Sequence, residues 1–204
     1  MRPIKARTAV TTAVLALVVA SLSAWAARAE SAAVRNCTWC HGPAAQGYNP
    51  APRLAGQRLQ YIESQIRGFQ GHVRDNPDSR QYMWAAAEHV SPQRAHDLAM
   101  YFSTLPARAA KDGLRELTAT GRTIYRDGIP EANIVACIAC HGPNAEGAGD
   151  IPRLGGLGYT YLKRQLKEWG EGYNAAARHP MPRVASRLSS EQIQALASYL
   201  SFIQ

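Results

Sequence analysis

The hexapeptide CTWCHG at residues 37 to 42 returns as CIACHG at residues 137 to 142, and each copy is followed by a proline, Pro43 and Pro143. The register persists along the chain. PRLAG at 52 to 56 returns as PRLGG at 152 to 156, and Tyr61, Gln65 and Phe69 are matched by Tyr161, Gln165 and Trp169. After a deletion of two residues in the second copy, Met83, Ser91, Leu98, Ala99 and Tyr101 are matched by Met181, Ser189, Leu196, Ala197 and Tyr199. Such a repeat reads as one structural unit used twice, so the chain is expected to be a tandem of two homologous domains. Their boundary is expected in TLPARAAKDG, residues 104 to 113, where Pro106 stops a helix and Gly113 loosens the chain. The first domain then runs from 30 to 106 and the second from 107 to 204.

Residues 1 to 29 stand apart from the repeat. Arg2, Lys5 and Arg7 make a basic start, Ala9 to Leu22 is uncharged and largely apolar, and Ala27-Arg28-Ala29 is a small-x-small cleavage site. This pattern predicts a secretory signal peptide removed after Ala29 or Ala26, because its apolar run is short for the roughly 20 residues that span a bilayer. An exported, periplasmic protein follows. Its removal takes away four basic and no acidic residues, leaving 19 Lys and Arg against 15 Asp and Glu. Much of the basic character belongs to the leader, no basic stripe interleaved with aromatics replaces it, and nucleic acid is not an expected partner.

The periodicity is helical. Gln57 to Gln70 and Tyr159 to Gly170 place Leu59, Ile62, Ile66 and Phe69, or Leu162, Leu166 and Trp169, at helical spacing. Pro92 to Leu105 and Ser190 to Ile203 do the same. Ser91 is a natural N-cap before Pro92, and Ser189 to Gln192 reads as a capping box. No run alternates like a half-buried strand, so the class is all-α. Each unit is short for a peptide that must supply its own core, which a large apolar cofactor would complete.

Cys37-x-x-Cys40 and Cys137-x-x-Cys140 are open to three chemistries. A thioredoxin-like redox pair wants a strand and helix context that is missing, and a zinc site needs four ligands to converge, whereas the repeat puts each pair in its own domain. In the third reading both thiols are alkylated by porphyrin vinyl groups and the next residue ligates iron. His41 and His141 select that reading, which predicts two covalently bound haems c.

With the two CxxCHG motifs, the two PRLxG segments, the GQRLQYIESQIRGF helix and terminal helices ending in Tyr101-Phe102 and Tyr199-Leu200, the chain resembles the di-haem cytochrome c4 family, two class I cytochrome c domains in series. The resemblance implies a pseudo-twofold pairing of the two domains. It also implies a methionine opposite each histidine on iron. Of four methionines, Met1 lies in the leader and Met100 inside a helix, which leaves Met83 and Met181, one per domain at matched positions. Of the other histidines, His72, His89 and His96 are expected to be exposed, and His179 is the one rival ligand. In such domains a proline carbonyl accepts the Nδ1 proton of the ligand histidine, a role that falls to Pro52 and Pro152. Arg53 and Arg153 follow them and are open to two readings, as partners of haem propionates or as exposed arginines.

Two expectations concern the first domain alone. The second domain opens with a helix, Leu114 to Arg126, whose Gly121 and Tyr125 suit a close helix crossing; the first has only Ser31 to Asn36 before Cys37 and is expected to be the less protected. Trp39, facing Ala139 in the other copy, is expected to help cover the haem or the domain interface. The whole pattern reads as a carrier, not an enzyme. It would take electrons from a quinol-oxidising complex such as a cytochrome bc complex, or from a dehydrogenase, and pass them to a terminal oxidase or reductase, meeting the membrane only through partners. The alternatives are the cytochrome subunit of a sulfide or alcohol dehydrogenase, and a di-haem peroxidase or thiosulfate-oxidising enzyme.

Overall fold

A computed structural model describes residues 32–177 and 180–204, so the expected leader and His179 lie outside the described residues. The chain forms helices α1 (residues 32–41), α2 (Leu59–Gln70), α3 (Trp84–Ala87), α4 (Pro92–Thr104), α5 (Thr118–Asp127), α6 (Ile138–His141), α7 (Tyr159–Gly170), α8 (Met181–Ala185) and α9 (Ser190–Phe202). Helices α1 to α4 repeat as α6 to α9, and α5 stands outside the repeat. Among the described residues, extended pairing is limited to isolated bridges at Tyr48 with Ala51, Ile129 with Ile134 and Ala148 with Ile151. The all-α expectation holds.

The helix ends form where the sequence places them. Ser91 accepts from the Arg94 amide ahead of α4, with Pro92 in the first turn. Ser189 and Gln192 close a reciprocal capping box on α9, satisfying donors that a bare helix start would leave unpaired. Each half buries its own apolar cluster: Ile62, Leu98, Ala99 and Phe102 in the first, and Ile124, Tyr125, Leu162, Leu196 and Leu200 in the second. Burial of one large apolar side chain is worth roughly 1.5–3 kcal/mol, so these few residues anchor α2 to α4 and α7 to α9.

The second half has one more layer. Helix α5 lies across α9 so closely that a Cβ on Gly121 would stand 2.0 Å from the Ala195 carbonyl oxygen. Tyr125, on the same face one turn later, is fully buried. Among the described residues the first half has no such helix. At the positions matching the covered Ser198 and Tyr199 of α9, α4 carries Met100 at 47% and Tyr101 at 38% exposure.

The segment between the halves is pinned, not loose. Gln46 bonds Pro106 O and the Arg108 amide, while Ala110 and Lys111 donate to Gly156 O and Ser201 O. Gly113 is there for proximity: its Cβ would fall 2.6 Å from Ser198 Cα, so the expectation that it loosens the chain is corrected.

Matched segments of the two copies meet each other between the halves. Gln57 donates to Arg153 O at 3.0 Å and accepts from the Arg153 amide at 2.7 Å. Arg74 donates to both Gln65 and Gln165, and Asn76 meets its counterpart Asn174. Equivalent surfaces facing each other are what a twofold arrangement produces.

Candidate functional site

Helix α1 ends at His41 and α6 at His141, so each histidine is presented at a helix C-terminus with its cysteines one turn behind. Both rings are buried. His41 Nδ1 lies 2.7 Å from Pro52 O and His141 Nδ1 lies 3.1 Å from Pro152 O. A carbonyl only accepts, so the proton sits on Nδ1 and the lone pair is left on Nε2. Burial lowers the pKa of both rings against the opposing pull of that carbonyl bond, and keeps them neutral. A neutral, tautomer-fixed imidazole is the form that binds a metal.

Cys37 and Cys137 are half-buried and pack against the apolar cluster of their own half, while Cys40 and Cys140 are exposed. The two pairs therefore sit in different cores. No group of three or more His, Cys, Asp or Glu side chains gathers among the described residues, which leaves a shared zinc site without ligands in place. Burial pushes the Cys37 and Cys137 thiols up to about 11, with Cys40 adding to the effect at Cys37.

Met83 closes a short π-helical turn, Ser79–Met83, and Met181 opens α8. Both are half-buried, and neither belongs to the apolar cluster of its half. His72 stacks on Trp84 at 3.8 Å, His96 bonds Glu63 at 2.7 Å, and His89 is open to solvent, so all three are engaged elsewhere or on the surface.

Arg53 departs from the bland expectation. It is buried, and its guanidinium donates to Arg108 O at 2.6 Å, Gly156 O at 2.7 Å and Gly155 O at 2.7 Å. Its Nε has no partner. Burial, with Arg153 nearby, lowers it to about 10. A buried cation with an orphaned donor and only neutral partners is chemically suited to an anionic group such as a propionate. The buried histidines, the thiols set against each core and this orphaned donor all fit a covalent haem in each half.

Trp39 does not do what its position suggested. It is 84% exposed, and only its carbonyl is engaged, by the Tyr48 hydroxyl at 2.8 Å. At about 100° per residue, the second residue after Cys37 and the second before His41 points away from the face those two share. The expectation that Trp39 covers the haem or the interface is corrected on this geometry. The polar residues at the domain interface, Arg74, Asp75, Asn76, Glu168 and Asn174, carried no motif in the sequence.

Residues 118–203 match the family model of cytochrome c. The chain is 36% identical over 171 residues to a cytochrome c4 of Thiocapsa roseopersicina, covering 80% of this chain and 85% of that protein. It is 36% identical over 193 residues to a thiosulfate dehydrogenase electron acceptor of Thiomonas intermedia, covering 91% and 86%. The solved structure of Acidithiobacillus ferrooxidans cytochrome c4 superposes with a TM-score of 0.76 at 31% identity, over 82% of this chain and 98% of that one.

Proposed function

We propose, for a chain that belongs to the di-haem cytochrome c4 family, that it is a periplasmic electron carrier whose two haem domains span residues 30–106 and 107–204. The protein is an electron-transfer cytochrome with two covalently bound haems c. In this reading Cys37, Cys40, Cys137 and Cys140 would hold the porphyrins, and His41 with Met83 and His141 with Met181 would bind the two irons. The leader at residues 1–29 supports export.

When bound, haem iron supplies a one-electron couple, and paired His and Met ligands favour its ferrous form. The chain's part is to hold geometry and charge fixed. Pro52 and Pro152 fix each histidine ring by its Nδ1 proton, so Nε2 stays the donor atom in both oxidation states. Arg53, ordered by three carbonyls, holds a buried positive charge beside Pro52. Ligands fixed this firmly suit a carrier that exchanges electrons with little rearrangement.

The donor is a dehydrogenase or quinol-oxidising complex and the acceptor a terminal oxidase or reductase. Similarity to a protein named as a thiosulfate dehydrogenase electron acceptor favours a dehydrogenase as donor. The observation that carries the reading is the paired presentation of a buried histidine bonded through Nδ1 to a proline carbonyl eleven residues on, once in each half. Optical and magnetic spectroscopy of the ferric protein tests it. Two Met-ligated low-spin haems are expected, one lost with Met83→Ala and the other with Met181→Ala; high-spin or bis-His signals in the unaltered protein would refute the ligand assignment.

A further inference from the structure

The loops that follow the two CxxCHG motifs present different chemistry at matched places. A Cβ on Gly42 would lie 3.6 Å from the Tyr48 ring, whereas one on Gly142 would lie 2.6 Å from the Glu146 carboxyl. Each glycine directly follows its histidine, so an aromatic ring stands beside the first site where a carboxylate stands beside the second. In sequence Gln46 is matched by Glu146, Tyr48 by Ala148, and Pro50 by the exposed Asp150.

Helix α1 completes the first surface. Trp39 is 84% exposed and Tyr48 57%, and the Tyr48 hydroxyl donates to Trp39 O at 2.8 Å, which ties the two together. Arg35 is exposed four residues before Trp39, a spacing that makes them neighbours on one side of the helix. Cys40, beside Trp39, is exposed as well. The second half has small residues in place of both rings, Ala139 and Ala148, and Val135 in place of the arginine. Among the described residues Arg35, Glu146 and Asp150 are in no ion pair. Each loop also receives an arginine from the opposite half, Arg164 at Pro50 O and Arg58 at Gly147 O, so the contrast lies at the centre of each surface and not in net charge.

Two outward rings and an unpaired arginine cover nothing within the fold. Trp, Tyr and Arg are the residues in which the binding energy of protein interfaces concentrates. We propose that Arg35, Trp39 and Tyr48 form a docking surface for one class of redox partner, a protein whose own opening is apolar and rimmed with carboxylates. The rings fill the apolar centre, and Arg35 pairs with a rim carboxylate, which speeds encounter more than it tightens the complex. At the second half the same partner meets the Glu146 carboxylate, a like charge that turns it away. Cys40 belongs to this surface, so a porphyrin bonded to it is approached there, and the inference rests on the haem reading of Cys40 and His41. In that encounter one electron leaves the partner's reduced centre and the ferric haem becomes ferrous.

The probe is a flavodoxin, an acidic protein with an apolar flavin edge. In stopped-flow reduction of the ferric holoprotein by flavodoxin hydroquinone, Trp39→Ala lowers the second-order rate severalfold. Arg35→Gln lowers it at low salt and flattens its dependence on ionic strength. Val135→Ala, on the second half, leaves the rate unmoved. In the ferrous holoprotein, oxidised flavodoxin shifts the NMR resonances of the Trp39 indole and not those of the Val135 methyls. An unchanged rate in Trp39→Ala, an equal fall in Val135→Ala, or an equal fall in Trp39→Ala when hexaammineruthenium(II) replaces the flavodoxin would overturn the proposal. A ferric spectrum without two low-spin haems in the unaltered protein would instead strike the ligand reading, and it is recorded before any kinetics.

Discussion

A single hydrogen decides the packing at Gly121. A methyl group there would meet the carbonyl of Ala195 at 2.0 Å and Tyr199 Cβ at 2.7 Å, and neither a backbone carbonyl nor a Cβ can swing aside. Gly121→Ala is therefore expected to force α5 off α9 and to destabilise the second half by about 3 kcal/mol or more, above the usual range for overpacking. Urea unfolding followed at the second haem reads this directly, and a change under about 1 kcal/mol would show that α5 shifts freely. Trp39 gives the opposite case. With its ring in solvent, Trp39→Ala should leave stability within about 0.5 kcal/mol. Both residues were conspicuous in the sequence, yet only one was interpretable. Gly121 and Tyr125 share a helix face by spacing alone, whereas the burial of Trp39 depends on which way a helix turns relative to a core that the sequence does not display.

Helix α5 is where the two copies part company at the scale of elements. It covers Ala195 and part of Tyr199 on α9, and Gly113 ahead of it covers Ser198, while the matched Asp97, Met100 and Tyr101 of α4 face outward. Of α1, the first half keeps Ala33, Val34 and Cys37 against its core. Fewer buried contacts lower the free energy of local opening. Native-state hydrogen exchange should accordingly show the amides of α4 opening at lower denaturant than those of α9. Equal protection, or stronger protection of α4, would mean that α1 alone supplies what α5 supplies in the second half. The helices were legible from apolar spacing and from Ser91 and Ser189, and the pairing of His41 with Pro52 was implied by the family resemblance. The short α3 and α8 were not, because four or five residues give no period to read, and their place comes from the long helices they pack on.

The interface between the halves belongs to the whole molecule, and its polar residues were invisible in the sequence because they come from distant segments with no shared motif. Glu168 makes that interface sensitive to pH. Burial raises its pKa above the ordinary carboxylate value, an effect reinforced by Asp78 and opposed by Arg164, the Asn76 hydrogen bond and Arg74. The folded protein thus holds this proton more tightly than the unfolded chain does. Its contribution to stability is fully present below the ordinary carboxylate pKa and is lost as pH rises through the raised folded value. Unfolding midpoints measured between about pH 4 and about pH 7 should therefore rise less steeply, or fall, in the parent protein compared with Glu168→Gln. The Gln variant keeps an acceptor for Asn76 and Gln165 and has no proton to lose. If the two proteins trace parallel curves, Glu168 is ionised without penalty, and Arg164 and Arg74 together offset its burial in full.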